Sequence, residues 1–278
     1  MPQHPILQIP ILQVESLKVT LEKKNESIAL VNDVSFRLEE GKTLAVVGES
    51  GSGKSTLLFS LIRLFPFRKN IALSGTVSFY GKNLLTVSEK ELASIRGSKI
   101  SFVFQDPHTS LHPLFPIGFQ IEEQLVYHTN KGEDERKDLV VKVLKKVGLP
   151  RADDCFSCYP HELSGGMKQR VMIAMALMTG PKLLIADEPT SSLDVTIEKG
   201  IIDSLTDIRN EWKLSYLLIT HHIGLALRTA DRIYVMKDGR ILERMDRSKE
   251  GFSPKENYTQ KLLNAGLEKV KPKTMLEV

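Results

Sequence analysis

Two groups of residues in this 278-residue chain have types and spacings suited to phosphate chemistry. The first is Gly48, Glu49, Ser50, Gly51, Ser52, Gly53, Lys54 and Ser55, preceded by the apolar run 43–47 and followed by the helix-prone run 56–62. Glycines at this spacing let backbone N–H groups close around phosphate oxygens. Lys54 can reach the outer phosphates, and the Ser55 hydroxyl can ligate Mg²⁺. A helix starting at this point turns its positive end to the anion. The second group is Asp187 and Glu188, which end the apolar run 182–186. An acidic pair at a strand end is more often a solvated terminus. With a phosphate loop in the same chain it becomes the other half of a hydrolysis site, with Asp187 holding Mg²⁺ and Glu188 polarising the attacking water.

The elements that must position these groups are legible as periodicity. Alternation over 11–21 and 28–38 predicts two strands, with residues 22–26 as their turn. After the loop, helical spacing runs over 54–64 until Pro66, and 75–81 reads as a short strand. The strand 99–104 ends at Gln105-Asp106-Pro107, where proline forces a loop and polar residues fall at the carboxyl end of a sheet. Residues 117–148 turn helical, ahead of a loop over 150–160. Ser164, Gly165 and Gly166 open an apolar helix that runs to Met178, stopped by Gly180-Pro181. A helix over 195–212 leads to the strand 215–220, which ends at His221-His222. Asp238-Gly239 joins 231–237 to 240–243 as a hairpin, because both turn positions need positive φ. Beyond Arg247 the chain is polar, with a helical patch over 258–267.

Composition narrows the class. The chain is 41% hydrophobic and 26% charged, with a net charge of +4 spread over 38 basic and 34 acidic residues; this excludes wholesale disorder and gives no basic footprint for a nucleic-acid partner. No run approaches the roughly 18 to 20 apolar residues of a membrane span, so a membrane role is expected to be peripheral. The first six residues lack a charged region and a continuous apolar region, so they do not read as a secretory signal. Cys155 and Cys158 form a C-x-x-C without a second pair and without a thioredoxin-like turn, and are read as two reduced thiols.

Taken together, these motifs closely resemble those of the ABC-type ATPases, the nucleotide-binding subunits of ATP-binding-cassette transporters, over about 12–245. Residues 163–170, Leu-Ser-Gly-Gly-Met-Lys-Gln-Arg, are similar to the family's signature motif. Gln105 resembles its Q-loop glutamine, Ser191-Ser192-Leu193-Asp194 its D-loop, and His221 its switch histidine. The resemblance implies ATP and Mg²⁺ as ligands. The nucleotide would be held by Gly48 through Thr56 and by Asp194, and from a second cassette by Ser164, Gly165 and Gly166. Ser55, Gln105 and Asp187 would face the Mg²⁺ region, with Glu188 as base and His221 as γ-phosphate sensor. It also implies head-to-tail pairing of two cassettes, identical or not. Two departures stand out. Leu21 occupies the register where the family stacks an aromatic ring on adenine, and His222 replaces the Asp that commonly follows the switch histidine. His108 and His112 have no ligand-spaced companions and are read as surface or interface residues.

The implied fold is α/β: a P-loop NTPase (RecA-like) core with an antiparallel β subdomain and a helical subdomain inserted at about 107–163, a domain over 11–246 and an extension over 247–278. Within the family, residues 104–114, 186–196 and 257–263 resemble importers of oligopeptides, dipeptides and nickel. The resemblance implies an ATPase energising peptide uptake from the cytoplasmic face of the cell membrane. Its partners would be two transmembrane permease subunits, a second cassette and, indirectly, an extracytoplasmic solute-binding protein. Nickel or metal-chelate import stays open, because the cysteine-bearing tail of many peptide members is missing after Cys158. A soluble ABC ATPase of DNA repair, the ribosome or cofactor assembly is the competing class. It calls for a long coiled-coil insert or tandem cassettes, and neither is in the sequence.

Overall fold

The computed structural model describes residues 9–24, 26–65, 70–191 and 193–268. The two alternating segments form strands β1 (Leu12–Lys23) and β2 (Glu26–Leu38), paired antiparallel. Then follow β3 (Thr43–Val47), α1 (Lys54–Leu61), β4 (Ile71–Phe79), β5 (Lys82–Asn83), α2 (Glu89–Ile95) and β6 (Ile100–Val103). A helical stretch contains α3 (Pro107–Ser110), α4 (Ile117–His128), α5 (Glu133–Lys146) and α6 (Ala152–Cys155). The rest runs α7 (Gly165–Leu177), β7 (Leu183–Asp187), α8 (Val195–Trp212), β8 (Ser215–Thr220), α9 (Ile223–Thr229), β9 (Arg232–Lys237), β10 (Arg240–Asp246) and α10 (Asn257–Glu268).

Two sheets result. One is antiparallel, in the order β2-β1-β4-β5. The other has the order β10-β9-β3-β8-β7-β6 and is parallel except for β10. Its central strands β3, β7 and β8 are buried at every position, as strands covered on both faces must be. Their two-residue period divides the core. Ala45, Val47, Leu184, Ala186, Tyr216 and Leu218 pack on one side with α7, α8 and the helical stretch. Leu44, Val46, Leu183, Ile185, Leu217 and Ile219 pack on the other with α1 and the antiparallel sheet. The α/β class, P-loop core and antiparallel sheet expected from the sequence are therefore the observed ones.

Several local expectations need correction. α1 stops at Leu61 instead of running to residue 64, because Arg63 turns the chain with φ 52°; Pro66 lies outside the described residues. The loop over 150–160 contains α6, which starts after Arg151 at φ 47°. Helix α2 went unrecognised, although Ser88 followed by Glu91 is a legible cap: the Ser88 hydroxyl accepts the Glu91 N–H at 3.2 Å. α9 was also missed, being only seven residues long. The hairpin strand β10 runs three residues past the expected end, to Asp246.

Candidate functional site

Four loops that carry candidate site residues leave the carboxyl ends of parallel strands. The phosphate loop follows β3, Gln105 follows β6, Glu188 follows β7 and His221 follows β8. Because β3, β8, β7 and β6 are consecutive neighbours, these loops converge at one sheet edge, where such folds bind ligands. There they line a cavity of about 970 Å³. Gly48, Glu49, Ser50, Gly51, Gly53, Lys54, Ser55, Thr56, Gln105, Glu188 and His221 all face it.

The phosphate loop keeps its shape through backbone conformations open to glycine. Gly51 and Gly53 have φ of 83° and 99°. A Cβ on Gly53 would stand 2.8 Å from the Leu30 carbonyl oxygen, and one on Gly48 would stand 2.2 Å from that of Met236. The β9–β10 hairpin tip braces the loop, its Gly239 N–H donating to Ser52 O at 3.0 Å. The Ser52 side chain is buried and does not line the cavity. The Lys54 ammonium folds back on the loop, donating to the carbonyls of Gly48 and Glu49 at 2.8 Å each. Burial pushes its pKa down, opposed by the charges of Glu188, Asp187 and Glu49.

Asp187 is buried at the end of β7, behind the cavity wall. Burial raises its pKa, while a hydrogen bond from the Ser55 hydroxyl lowers it. Glu188, the next residue, has φ 50°, a left-handed backbone that costs a non-glycine residue about 1 to 2 kcal/mol. The conformation is held by its N–H donating to Ile219 O at 2.8 Å, and it turns the carboxylate toward β8. There the His221 Nδ1 lies 2.6 Å from Oε1 and 2.5 Å from Oε2. Oε1 also accepts the His221 amide at 3.1 Å.

Other candidates stand apart. Ser164 caps α7, its hydroxyl accepting the Met167 N–H at 3.4 Å, and Gly165 and Gly166 form the first turn; none of the three lines the cavity. Asp194 caps α8, accepting the N–H groups of Thr196 and Ile197 at 3.0 Å, and its side chain is absent from the cavity wall. Gly166 lies close against α8, since a Cβ there would meet Ile197 Cγ2 at 2.7 Å. Gly166 at the start of α7 thus packs on α8, whereas Ser191 and Leu193, just ahead of α8, line the cavity with the phosphate loop. Leu21 pairs with Ile28 and Ile71 and does not line the cavity; Leu30 of β2 does.

Sequence reasoning missed a cluster on the cavity wall itself, formed by Thr190, Glu198, His222 and Arg228. Glu198 of α8 is buried and accepts the Thr190 hydroxyl at 3.0 Å. His222 Nδ1 is 3.5 Å and Arg228 Nη2 is 3.8 Å from its carboxylate. The one available signal was that Glu198 falls one helical turn after Asp194, on the face of Val195–Trp212 turned to the sheet. His112 is used locally, accepting the Leu114 N–H at 3.3 Å and packing against Phe115. Cys155 is buried, and burial pushes its thiol pKa up.

The fit to a nucleotide and Mg²⁺ rests on three features. A glycine cradle stands open to the cavity, a hydroxyl–carboxylate pair (Ser55, Asp187) offers the hard oxygen donors Mg²⁺ prefers, and Glu188 lines the same cavity.

Comparison with known proteins agrees with this geometry. Residues 31–191 match the family described as "ABC transporter". Over 92% of its length the chain is 42% identical to the oligopeptide transport ATP-binding protein AppD of Bacillus subtilis (strain 168), covering 78% of that protein. It is 41% identical, again over 92% of its length, to the oligopeptide transport ATP-binding protein OppD of Escherichia coli (strain K12), covering 75% of it. The ATP-binding cassette MJ0796, solved as a dimer in a post-hydrolysis state bound to ADP and Pi, matches with a TM-score of 0.75 at 30% identity, over 84% of this chain and 98% of that one. With its phosphate loop, strand-end acidic pair and histidine assembled at one sheet edge, the chain belongs to the ABC transporter family and is built as one of its ATPase cassettes.

Proposed function

We propose that this cassette hydrolyses ATP to energise the import of oligopeptides. The observation that carries the chemistry is the contact of Glu188 with His221 in the cavity that also holds Lys54. Glu188 acts as general base, taking a proton from the attacking water on its carboxylate. His221 holds that carboxylate in place and senses the terminal phosphate. Lys54, which donates to the carbonyls of Gly48 and Glu49, turns to the outer phosphates. The N–H groups of residues 50–56 and the start of α1 receive the phosphate chain. Ser55 and Asp187, with Gln105, would hold Mg²⁺, which supplies charge neutralisation at the phosphates when bound.

Ser164, Gly165, Gly166 and Asp194 are unused at the chain's own cavity, which supports their serving a second cassette across a head-to-tail pair. Among the described residues no helix is long and apolar enough to cross a membrane, so coupling to transport requires permease partners. Next to the Gln105 loop, Phe115 and Phe119 stack at 5.2 Å and remain exposed together with Leu114, an apolar face suited to two permease subunits at the cytoplasmic surface. The peptide cargo is supported by the names of the relatives, which describe oligopeptide transport; a solute-binding protein would deliver it. Uptake of a labelled oligopeptide and of nickel tests it in cells lacking this subunit. Peptide uptake should be lost, returning with the wild-type chain and not with Glu188→Gln. Loss of nickel uptake with normal peptide uptake would reassign the cargo.

A further inference from the structure

Helix α10, which contains the 257–263 segment and follows in the chain every residue assigned to the nucleotide, closes one side of the nucleotide cavity. Its start is pinned by Glu243, a buried carboxylate that accepts the N–H of Lys255 at 2.6 Å and of Glu256 at 3.3 Å. One turn in, Thr259 is fully buried and Leu263 joins the main core, so the helix is seated. Its other face meets the phosphate loop. The Tyr258 hydroxyl accepts the Glu49 N–H at 3.4 Å, and its ring lies under the Lys237 ammonium at 4.8 Å, beside the hairpin turn that braces Ser52. Leu262, four residues on and therefore on the same face, lines the cavity with Lys54 and Ser55. α10 also packs against α9, which starts directly after His221 and His222.

We propose that α10 is a working wall of the nucleotide site. Tyr258 is a positioning residue that fixes the first peptide of the phosphate loop, and Leu262 is an apolar contact facing the bound triphosphate. The loop amides can cradle phosphates only in one backbone arrangement, and Glu49 is the second residue of the loop beyond β3. Holding its N–H on Tyr258 favours that arrangement before substrate arrives. A ligand that favours the same arrangement must in turn tighten α10, since coupling between two sites is reciprocal. Because α10 rests on α9 as well, the phosphate end and the histidine end of the cavity share this support. The inference depends on the reading of the cavity as an ATP site.

The test uses the full chain and ATP with Mg²⁺. Tyr258→Phe removes the hydroxyl and keeps the ring over Lys237; it should raise the KM and Kd for ATP about three- to tenfold, with the loss appearing in KM and not in kcat. Leu262→Glu should weaken ATP binding more than Leu262→Gln, with the gap narrowing as salt is added, because the added carboxylate repels the phosphates. In the unaltered protein, amide exchange over 257–264 should slow when ATP is added. If wild-type protein binds no ATP, the reading of the site itself fails. If it binds ATP while Tyr258→Phe matches its KM and exchange over 257–264 ignores ATP, the role of α10 is overturned.

Discussion

His221 Nδ1 lies 2.6 Å from Glu188 Oε1, although the two residues are 33 positions apart in the chain. Parallel pairing of β7 with β8, which sets Asp187 opposite Ile219, puts the next residues of both strands at the same level. The left-handed turn at Glu188 then directs its side chain sideways, onto the neighbouring strand. Glu188 and His221 are thus adjacent because two strand ends are adjacent.

Replacing Glu188 by Gln keeps the shape and removes the proton acceptor. ATP turnover should fall by about 10²- to 10⁴-fold while ATP affinity stays near wild type, and ATP should trap a closed cassette pair. His221→Ala should lower kcat by at least about tenfold, by freeing the carboxylate from its position. Steady-state ATPase assays alongside equilibrium ATP binding separate the two effects, and turnover unchanged in Glu188→Gln would remove the residue from its assigned role.

Gly53 tests whether the loop geometry is held by backbone sterics. Alanine there must adopt φ 99° with its Cβ 2.8 Å from Leu30 O, a contact between strand backbone and loop that no side-chain rotation relieves. Gly53→Ala should cost about 2 kcal/mol or more in urea unfolding and abolish ATP binding. Gly132→Ala is the matched control, because nothing lies within 4 Å of a Cβ there and φ is −67°; it should stay within about 0.5 kcal/mol of wild type. Equal losses in the two variants would refute the steric argument.

The pH dependence of the nucleotide-free protein follows from Asp187. Burial raises its folded-state pKa above the ordinary 3.8, so between those two values the native state holds more protons than the unfolded state. Stability from this group is therefore lost as pH rises through that window and stays lost above it. Lys54 has a lowered pKa, so its contribution increases as pH rises from its folded-state value toward 10.5. Asp187→Asn removes the first effect. Urea midpoints taken from about pH 4 to 7 should show wild type losing ground to the variant as pH rises; a constant difference would contradict the assignment.

Phe115 and Phe119 are exposed and stacked, an arrangement that water does not favour. Phe119→Ser should leave the ATPase activity of the isolated cassette within about twofold and lower the fraction that co-sediments with permease-containing membranes. Undiminished membrane association in a Phe115→Ser, Phe119→Ser double variant would place docking on another face.

The sequence by itself determined the phosphate loop, the acidic pair, the α/β alternation and nearly every strand of the parallel sheet. Each of those signals is local: glycine spacing, an apolar run of one strand's length, an Asp-Gly turn. The helix over 195–212 was read to the residue because an Asp cap and a single amphipathic face bound it. Contacts between segments were decided by tertiary structure alone. Leu30 in place of Leu21 at the cavity follows from how β1 and β2 pair, and the Glu198 cluster follows from how α8 meets the β7 and β8 loops. Tyr258 reaches Glu49 across 209 positions because Glu243 seats α10 against the core. Strand order and helix seating arise from burial shared among distant segments, and no short window of residues carries that information.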